Sequence, residues 1–259
     1  MSTVWSDYGD LLDRWRVWWI MGMQDVRLRY RRSVLGPFWI SMSLAAMVIG
    51  ISLMYSQIFD IGFATYLAYL ACGFLCWNFI SAMVIEGGQV LVDAEQVLKT
   101  ASLSIPVLVA RMVQRNVAIF MHNLLVIAVV LLFAGIRPEP ALLFLPVGLM
   151  IVILAGFGFA TILGPLCLRF RDAGQLVTSF TQILFFVTPI LWMPSQGRLD
   201  SVWIDINPIY HLIEMIRSPL LGELPPLKNI LFALGTTAAA LVAGWASVAY
   251  ARRKIYIWL

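Results

Sequence analysis

Charge is scarce in this chain. Only 12% of its 259 residues are Asp, Glu, Lys or Arg, 61% are hydrophobic, and the mean hydropathy is +0.87. A soluble domain carries about 25% charged and about 45–50% apolar residues. An ordinary water-soluble fold is therefore excluded, and several membrane spans are required. Histidine is limited to His122 and His211, and cysteine to Cys72, Cys76 and Cys167. All three thiols lie in apolar runs. Cys72 and Cys76 are one helical turn apart, but without a His or third thiol beside them they are expected to be small core residues rather than a metal pair. A Gly-rich nucleotide loop is missing, as are a Ser/His/Asp set and a metal cluster. The N-terminus lacks the basic region, short apolar core and small-residue cleavage site of a secretory signal, so the first span is expected to insert as itself. No internal repeat or low-complexity segment appears. The proposed mid-span regions hold no carboxylate, whereas an ion-coupled transporter needs ionisable groups there. Energy is therefore expected from a partner. The net charge of +4 does not indicate nucleic acid, because the cations sit in short loops beside apolar runs.

What is present is organised around Asp25-Val-Arg-Leu-Arg-Tyr-Arg-Arg-Ser-Val-Leu-Gly-Pro-Phe-Trp39. Arg27, Arg29, Arg31 and Arg32 stop abruptly, and Gly36-Pro37 begins a long apolar helix, with Pro37 suited to its first turn. Such a cluster at the root of a span sets orientation and places guanidinium groups at the depth of anionic headgroups. It is read either as an orientation signal alone or as a site for a phosphate-bearing substrate. Before it, residues 1–24 place Trp5, Tyr8, Leu12, Trp15 and Trp19 at helical spacing opposite Asp and Arg, a helix expected to lie along the cytoplasmic membrane surface. A helix packed on a partner is the other reading.

The apolar runs predict six spans, at about Phe38–Phe59, Ala64–Ile85, Val117–Ala134 (within a helix starting near Ile105-Pro106), Ala141–Leu168, Leu176–Trp192 and Asn229–Tyr250. Each is judged against the ~20 residues needed to cross hydrocarbon. Glu86-Gly87-Gly88 is expected to end the second. Residues 89–104 then form a polar amphipathic interruption on the cytoplasmic side, carrying Asp93, Glu95 and Lys99 among Val97 and Leu98. In the fourth span Gly156, Ala160 and Gly164 form a small-residue stripe that admits another helix closely. His122 beside Asn123 reads as a hydrogen-bonded packing residue. His211 and Glu214 are three apart on one helical face and read as a local pair. Residues 200–222 are too apolar for an ordinary loop, yet Ile206–Leu221 is too short to cross. A dipping helix is expected there, with Asn207 as N-cap, Pro208 in its first turn, Pro219 near its end and a second short helix before it. With both termini inside, fourteen of the 18 Lys and Arg fall on the cytoplasmic side, which supports an N-in/C-in topology.

Four segments, in order along the chain, carry a resemblance. Arg27–Trp39, Arg169-Phe-Arg-Asp172, Gln182-Ile-Leu-Phe-Phe-Val-Thr-Pro-Ile190 and Asn207–Gly222 are together similar to the membrane subunits of ATP-binding-cassette exporters of polysaccharide and polyol phosphate, closest to O-antigen exporter permeases. The resemblance implies an all-α integral membrane protein of the bacterial inner membrane, a single domain over 1–259. It implies a homodimer joined to two copies of a separate ATPase, which rather than this chain would bind ATP and magnesium. The substrate implied is an undecaprenyl-type lipid-linked glycan. By matching position, Trp5–Met21 would be the interface helix, Gln89–Thr100 the coupling element and Asn207–Gly222 part of an outer re-entrant gate.

A glycan conduit wants aromatic faces that stack on sugars without fixing register. Tyr66, Tyr69, Phe74, Trp77, Phe185, Phe186 and Trp192 are the candidates; core packing is the other reading for each. Capsule and teichoic-acid exporter permeases are more distant matches. From another class, a membrane enzyme acting on lipid-linked sugars would need paired carboxylates, and Asp93 and Glu95 are the one close cytoplasmic acidic pair outside the N-terminal helix.

Overall fold

The computed structural model describes residues 4–30, 38–100, 103–194 and 201–258. Among these residues all regular structure is helical. The chain opens with α1 (Val4–Asp13) and α2 (Trp15–Tyr30), followed by α3 (Phe38–Ile58), α4 (Phe63–Asp93), α5 (Glu95–Thr100) and α6 (Ile105–Phe133). A 3₁₀ turn (Pro140–Phe144) leads into α7 (Leu145–Arg169), then α8 (Ala173–Val187), α9 (Ser201–Ile206), α10 (Pro208–Leu220), α11 (Leu227–Ala251) and α12 (Ile255–Trp258). Five helices, α3, α4, α6, α7 and α11, are long and apolar enough to cross a membrane. The helix at the predicted fifth span, α8, has only 15 residues, or about 22 Å against a hydrocarbon core of about 30 Å.

The core sits around α4. Of its most apolar stretch 72% is buried, against at most 33% for the other four long helices. It packs on α3, α6, α7, α8 and α10. Small residues make this possible: Ala68, Ala71, Cys72, Gly73 and Cys76 are all buried on it. The expected helix end at Glu86-Gly87-Gly88 is not there. α4 runs on to Asp93, because Gly87 is a point of contact rather than a break. A Cβ at Gly87 would lie 2.7 Å from Ala160 Cβ and 2.9 Å from Ala160 Cα, and one at Gly164 would lie 3.3 Å from the Gly87 carbonyl oxygen. The predicted stripe of Gly156, Ala160 and Gly164 on α7 is therefore the seat of α4. α11 uses another face of α7, where Gly158 meets Ala240 and Gly244 meets Thr161.

The N-terminal segment is two helices, broken at Arg14, and the second reaches Tyr30. It passes the predicted boundary at residue 24 because Asp25–Arg29 holds no breaker and α2 packs along α6, with Gly22 buried against the Arg111 backbone. α1 lies across the bundle end. Ser104 Oγ donates to the Asp7 carbonyl at 3.1 Å, Arg252 Nε pairs with Asp7 at 3.0 Å, and Trp5 meets Trp245 at 6.1 Å between ring centres. Burial raises the Asp7 carboxyl above its usual range, opposed by the Arg252 guanidinium. Trp5, Leu12, Trp15 and Trp19 remain exposed. α1 and the end of α11 thus meet at one end of the bundle, the end where α4 finishes and α6 begins.

At the opposite end α8 stops at Val187, short of the predicted Trp192. Thr188 precedes Pro189 and is forced to extended backbone, at φ −86° and ψ 136°. Asn207 caps α10 as predicted, accepting from the Ile209 and Tyr210 N–H groups, and its Nδ2 also donates to Thr188 Oγ1 at 3.0 Å. α10 is enclosed by protein on nearly all sides; His211, Ile213, Met215 and Ile216 are wholly buried. An Ala160→Leu substitution should force α4 and α7 apart, costing about 1–3 kcal/mol. The check is thermal denaturation in detergent, with an exposed control such as Val242→Leu unchanged.

Candidate functional site

An open groove of about 750 Å³ runs along one side of α4, between α3, α6 and α8. Phe74, Trp77, Asn78, Ser81, Ile85 and Glu86 supply the α4 wall. Their spacing of three and four puts them on one helical face, and twelve residues along the axis make a strip of about 18 Å. The groove has two chemically different ends.

At the Phe74 end the wall is aromatic. Phe185 of α8 is the hub, at 5.6 Å from Phe74, 5.4 Å from Trp77 and 5.3 Å from Phe186 between ring centres. Four of the seven predicted aromatics, Phe74, Trp77, Phe185 and Phe186, therefore line the groove. Tyr66, Tyr69 and Trp192 do not. They belong to the joint that ends α8. The chain leaving α8 is not helical, so its carbonyl groups need partners from elsewhere, and here α4 and α10 supply donors. Tyr66 Oη donates to the Leu191 carbonyl at 2.6 Å, and Tyr69 Oη to those of Pro189 and Trp192 at 2.9 and 3.1 Å. Arg217 Nη1 donates to the Pro189 carbonyl at 2.7 Å, with its guanidinium 4.3 Å from the Tyr69 ring centre.

Arg217 is only 1% exposed. Glu214 neutralises it and also accepts from Ser218 Oγ at 2.6 Å. The expected His211–Glu214 pair does not form. His211 instead bonds Asn229 Oδ1 and the Asp205 carbonyl, at 3.0 and 2.9 Å, because Arg217 offers Glu214 an opposite charge one turn away. Pro219 lies within the last turn of α10, and Pro208 opens it.

At the Glu86 end the groove is ionic. Glu86 receives Arg29 Nη2 at 3.1 Å, Arg115 Nη2 at 2.7 Å and Asn116 Nδ2 at 2.8 Å. Arg111 grips Asp25 through two bonds of 2.6 and 2.7 Å, and Arg115 lies 3.5 Å from the same carboxylate. Asp25 and Arg29 come from α2, Glu86 from α4, and Arg111 and Arg115 from successive turns of α6. Of the predicted arginine cluster, Arg29 lines the groove, Arg27 is exposed, and Arg31 and Arg32 fall outside the described residues. The Asp25–Arg111 and Glu86–Arg115 pairings went unread in the sequence. The available signal was two arginines at the root of an apolar run, which demand carboxylates from neighbouring span ends.

The predicted coupling segment adjoins this cluster. Asp93, the last residue of α4, lines a small cleft with Asp25, Arg111 and Arg115. In α5, Glu95 pairs with Lys99 at 2.5 Å on the exposed side, and this bond holds the Glu95 carboxyl below its usual range. Leu98 is buried and Val97 half-buried. Among the described residues no group of three His, Cys, Asp or Glu side chains is arranged to hold a metal, and all three cysteines are buried and free.

These features define a multi-pass helical membrane protein with an open groove, polar and ionic at one end and aromatic at the other. The chain belongs to the ABC-2 type transporter family, which it matches over residues 16–221. That membership implies an ATP-binding-cassette ATPase as partner. The chain is 22% identical over 234 residues to the O-antigen export system permease protein RfbA of Myxococcus xanthus, covering 89% of this chain and 90% of that protein. It is also 22% identical over 192 residues to the protein of the same name from Klebsiella pneumoniae, covering 73% and 74%.

The two Glu86 arginines should separate in a stability measurement. Arg115→Gln takes the short 2.7 Å bond away from Glu86 in a part-buried setting and should cost about 1–3 kcal/mol. Arg29→Gln removes a pair whose arginine side chain is 45% exposed, and should cost at most about 1 kcal/mol. Thermal denaturation of the two purified variants checks the order.

Proposed function

We propose that this chain is the permease of an ATP-driven exporter that moves a lipid-linked polysaccharide of O-antigen type across the bacterial inner membrane. It acts as a homodimer, with the groove of each copy forming half of a shared conduit and two ATPase copies on the cytoplasmic side. The observation that carries this reading is the groove itself: aromatic faces at one end, amide and hydroxyl side chains along the middle and a guanidinium at the mouth. Aromatic rings offer apolar area to sugar faces without directional bonds, so a chain can slide past them. The names of the 22%-identical relatives point the same way.

Arg29 is the groove's phosphate-facing group. Guanidinium pairs with phosphate in a bidentate manner, and its bond to Glu86 is exposed enough to exchange. The meeting of α1 with Ser104 and Arg252, at the end of the bundle where α6 begins, supports an N-in/C-in topology. It also supports six spans, with α8 completing a crossing together with the segment after Thr188. α10 is the inner part of an outer re-entrant gate. Tyr69, beside Arg217, is six residues into α4, so α10 lies about 9 Å below that helix's start. Buried within protein, it can sit at membrane depth. α5 is the coupling element, presenting Gln96, Lys99 and Thr100 outward. The enzyme alternative is disfavoured by Glu95, which is committed to Lys99 on a different helix from Asp93.

Trp77→Ala and Phe185→Ala should lower surface polysaccharide in cells that depend on this permease, with protein level and ATPase association unchanged. Normal surface polysaccharide in both variants would remove the groove from the transport path. Separately, Gln96→Arg with Thr100→Arg should abolish ATPase co-purification. These exposed positions are the informative ones, because a charge at buried Leu98 would disturb the fold itself.

A further inference from the structure

We propose that the chain carried in this groove is an uncharged polysaccharide, with hydroxyl and amide groups on its repeating units but neither carboxylate nor phosphate. The inference rests on the groove being the conduit, and it takes up the lining chemistry between the two ends. Among the described lining residues, Arg29 and Glu86 are the charged ones; they sit at one mouth, 3.1 Å apart and paired. Arg111 and Arg115 are nearby but are engaged by Asp25 and Glu86. Beyond that mouth the described polar lining includes neutral amides with bonding capacity left over. Asn78 Nδ2 donates to the Phe74 carbonyl, so its Oδ1 is open to accept. Asn123 Oδ1 accepts from Ser41 Oγ, so its Nδ2 is open to donate. Gln182 projects from an exposed position on α8.

A sugar hydroxyl both donates and accepts, so it can use either kind of half-occupied amide. An anionic repeat cannot. Each carboxylate or phosphodiester entering a largely apolar cleft loses hydration that a cation would best replace, and beyond Arg29 the described lining offers none. A second copy related by a two-fold axis presents the same described lining. The single phosphate-bearing lipid end differs, because it meets Arg29 once rather than at every repeat.

The test uses the full chain with its ATPase in nanodiscs, carrying Asn78→Cys or, independently, Ser81→Cys. The buried native thiols stay in place, and the parent chain gives the background. Labelling by a small hydrophilic thiol reagent is followed with added dextran oligosaccharide or with poly(glycerol phosphate) of similar length. The uncharged chain should slow labelling about tenfold at roughly ten times its dissociation constant, while the polyanion leaves the rate unchanged. Adding Asn78→Lys and Gln182→Arg to the Ser81→Cys chain should confer protection by poly(glycerol phosphate). Equal or better protection by the polyanion in the unaltered lining overturns the inference and leaves the conduit standing. Protection by neither chain at either position overturns the conduit reading and this inference with it.

Discussion

The close approach of α4 and α7 at Gly87 and Ala160 is the contact on which the rest of this structure depends. Only where both helices present small residues can two backbones come this near. The approach lets α4 continue unbroken to Asp93, through a sequence that carries two adjacent glycines. That continuity aligns the groove face from Phe74 to Glu86 and carries the chain straight into α5. A helix ending at Gly87 would have left Glu86 at a loose terminus. Instead Glu86 stands on a rigid helix between α2 and α6, where three donors converge on it.

The buried and part-buried ion pairs among the described residues are gathered at the two ends of the bundle. At one end Asp25 and Glu86 hold Arg111 and Arg115, and bind the N-terminal helix pair to the long helices. At the other, the Pro189 and Leu191 carbonyl groups, just past the end of α8 at Val187, are taken by Tyr66, Tyr69 and Arg217, while Glu214 balances the arginine. In a low-dielectric setting an unmatched charge would be costly, so neither gathering can be taken apart piecemeal. The groove runs from the ionic end toward the other, and the polar groups of its described middle are neutral.

Much of this was legible in the sequence. Apolar run length located α3, α6, α7 and α11 closely, and the Gly156–Ala160–Gly164 stripe announced its close partner. Asn207-Pro208 announced a capped helix, and a short helix does precede it. What could not be read were features decided by tertiary contact. Gly87-Gly88 has the composition of a break and serves as a contact surface. Pro189 shortened α8 because the residue before a proline resists helical backbone. His211 and Glu214 share a spacing, but Arg217 offers the carboxylate a better partner. The seven candidate aromatics are indistinguishable by type. The phenol groups of Tyr66 and Tyr69 can donate a hydrogen bond, and this draws them to stranded carbonyls, whereas Phe74, Phe185 and Phe186 have no such group and Trp77 remains with them at the groove.

One consequence follows from the length of α4. At 31 residues it is a stiff rod about 46 Å long, with α5 fixed at one tip and the Tyr66–Leu191 bond near the other. A rod of that length is a lever. Tilting it by about 5° about its α5 end displaces the far tip by about 4 Å, more than a 2.6 Å hydrogen bond can stretch and survive. A push delivered at α5 therefore cannot move α4 alone. The segment 189–192 and α10, fastened to it through Tyr66, Tyr69 and Arg217, must travel with it or let go.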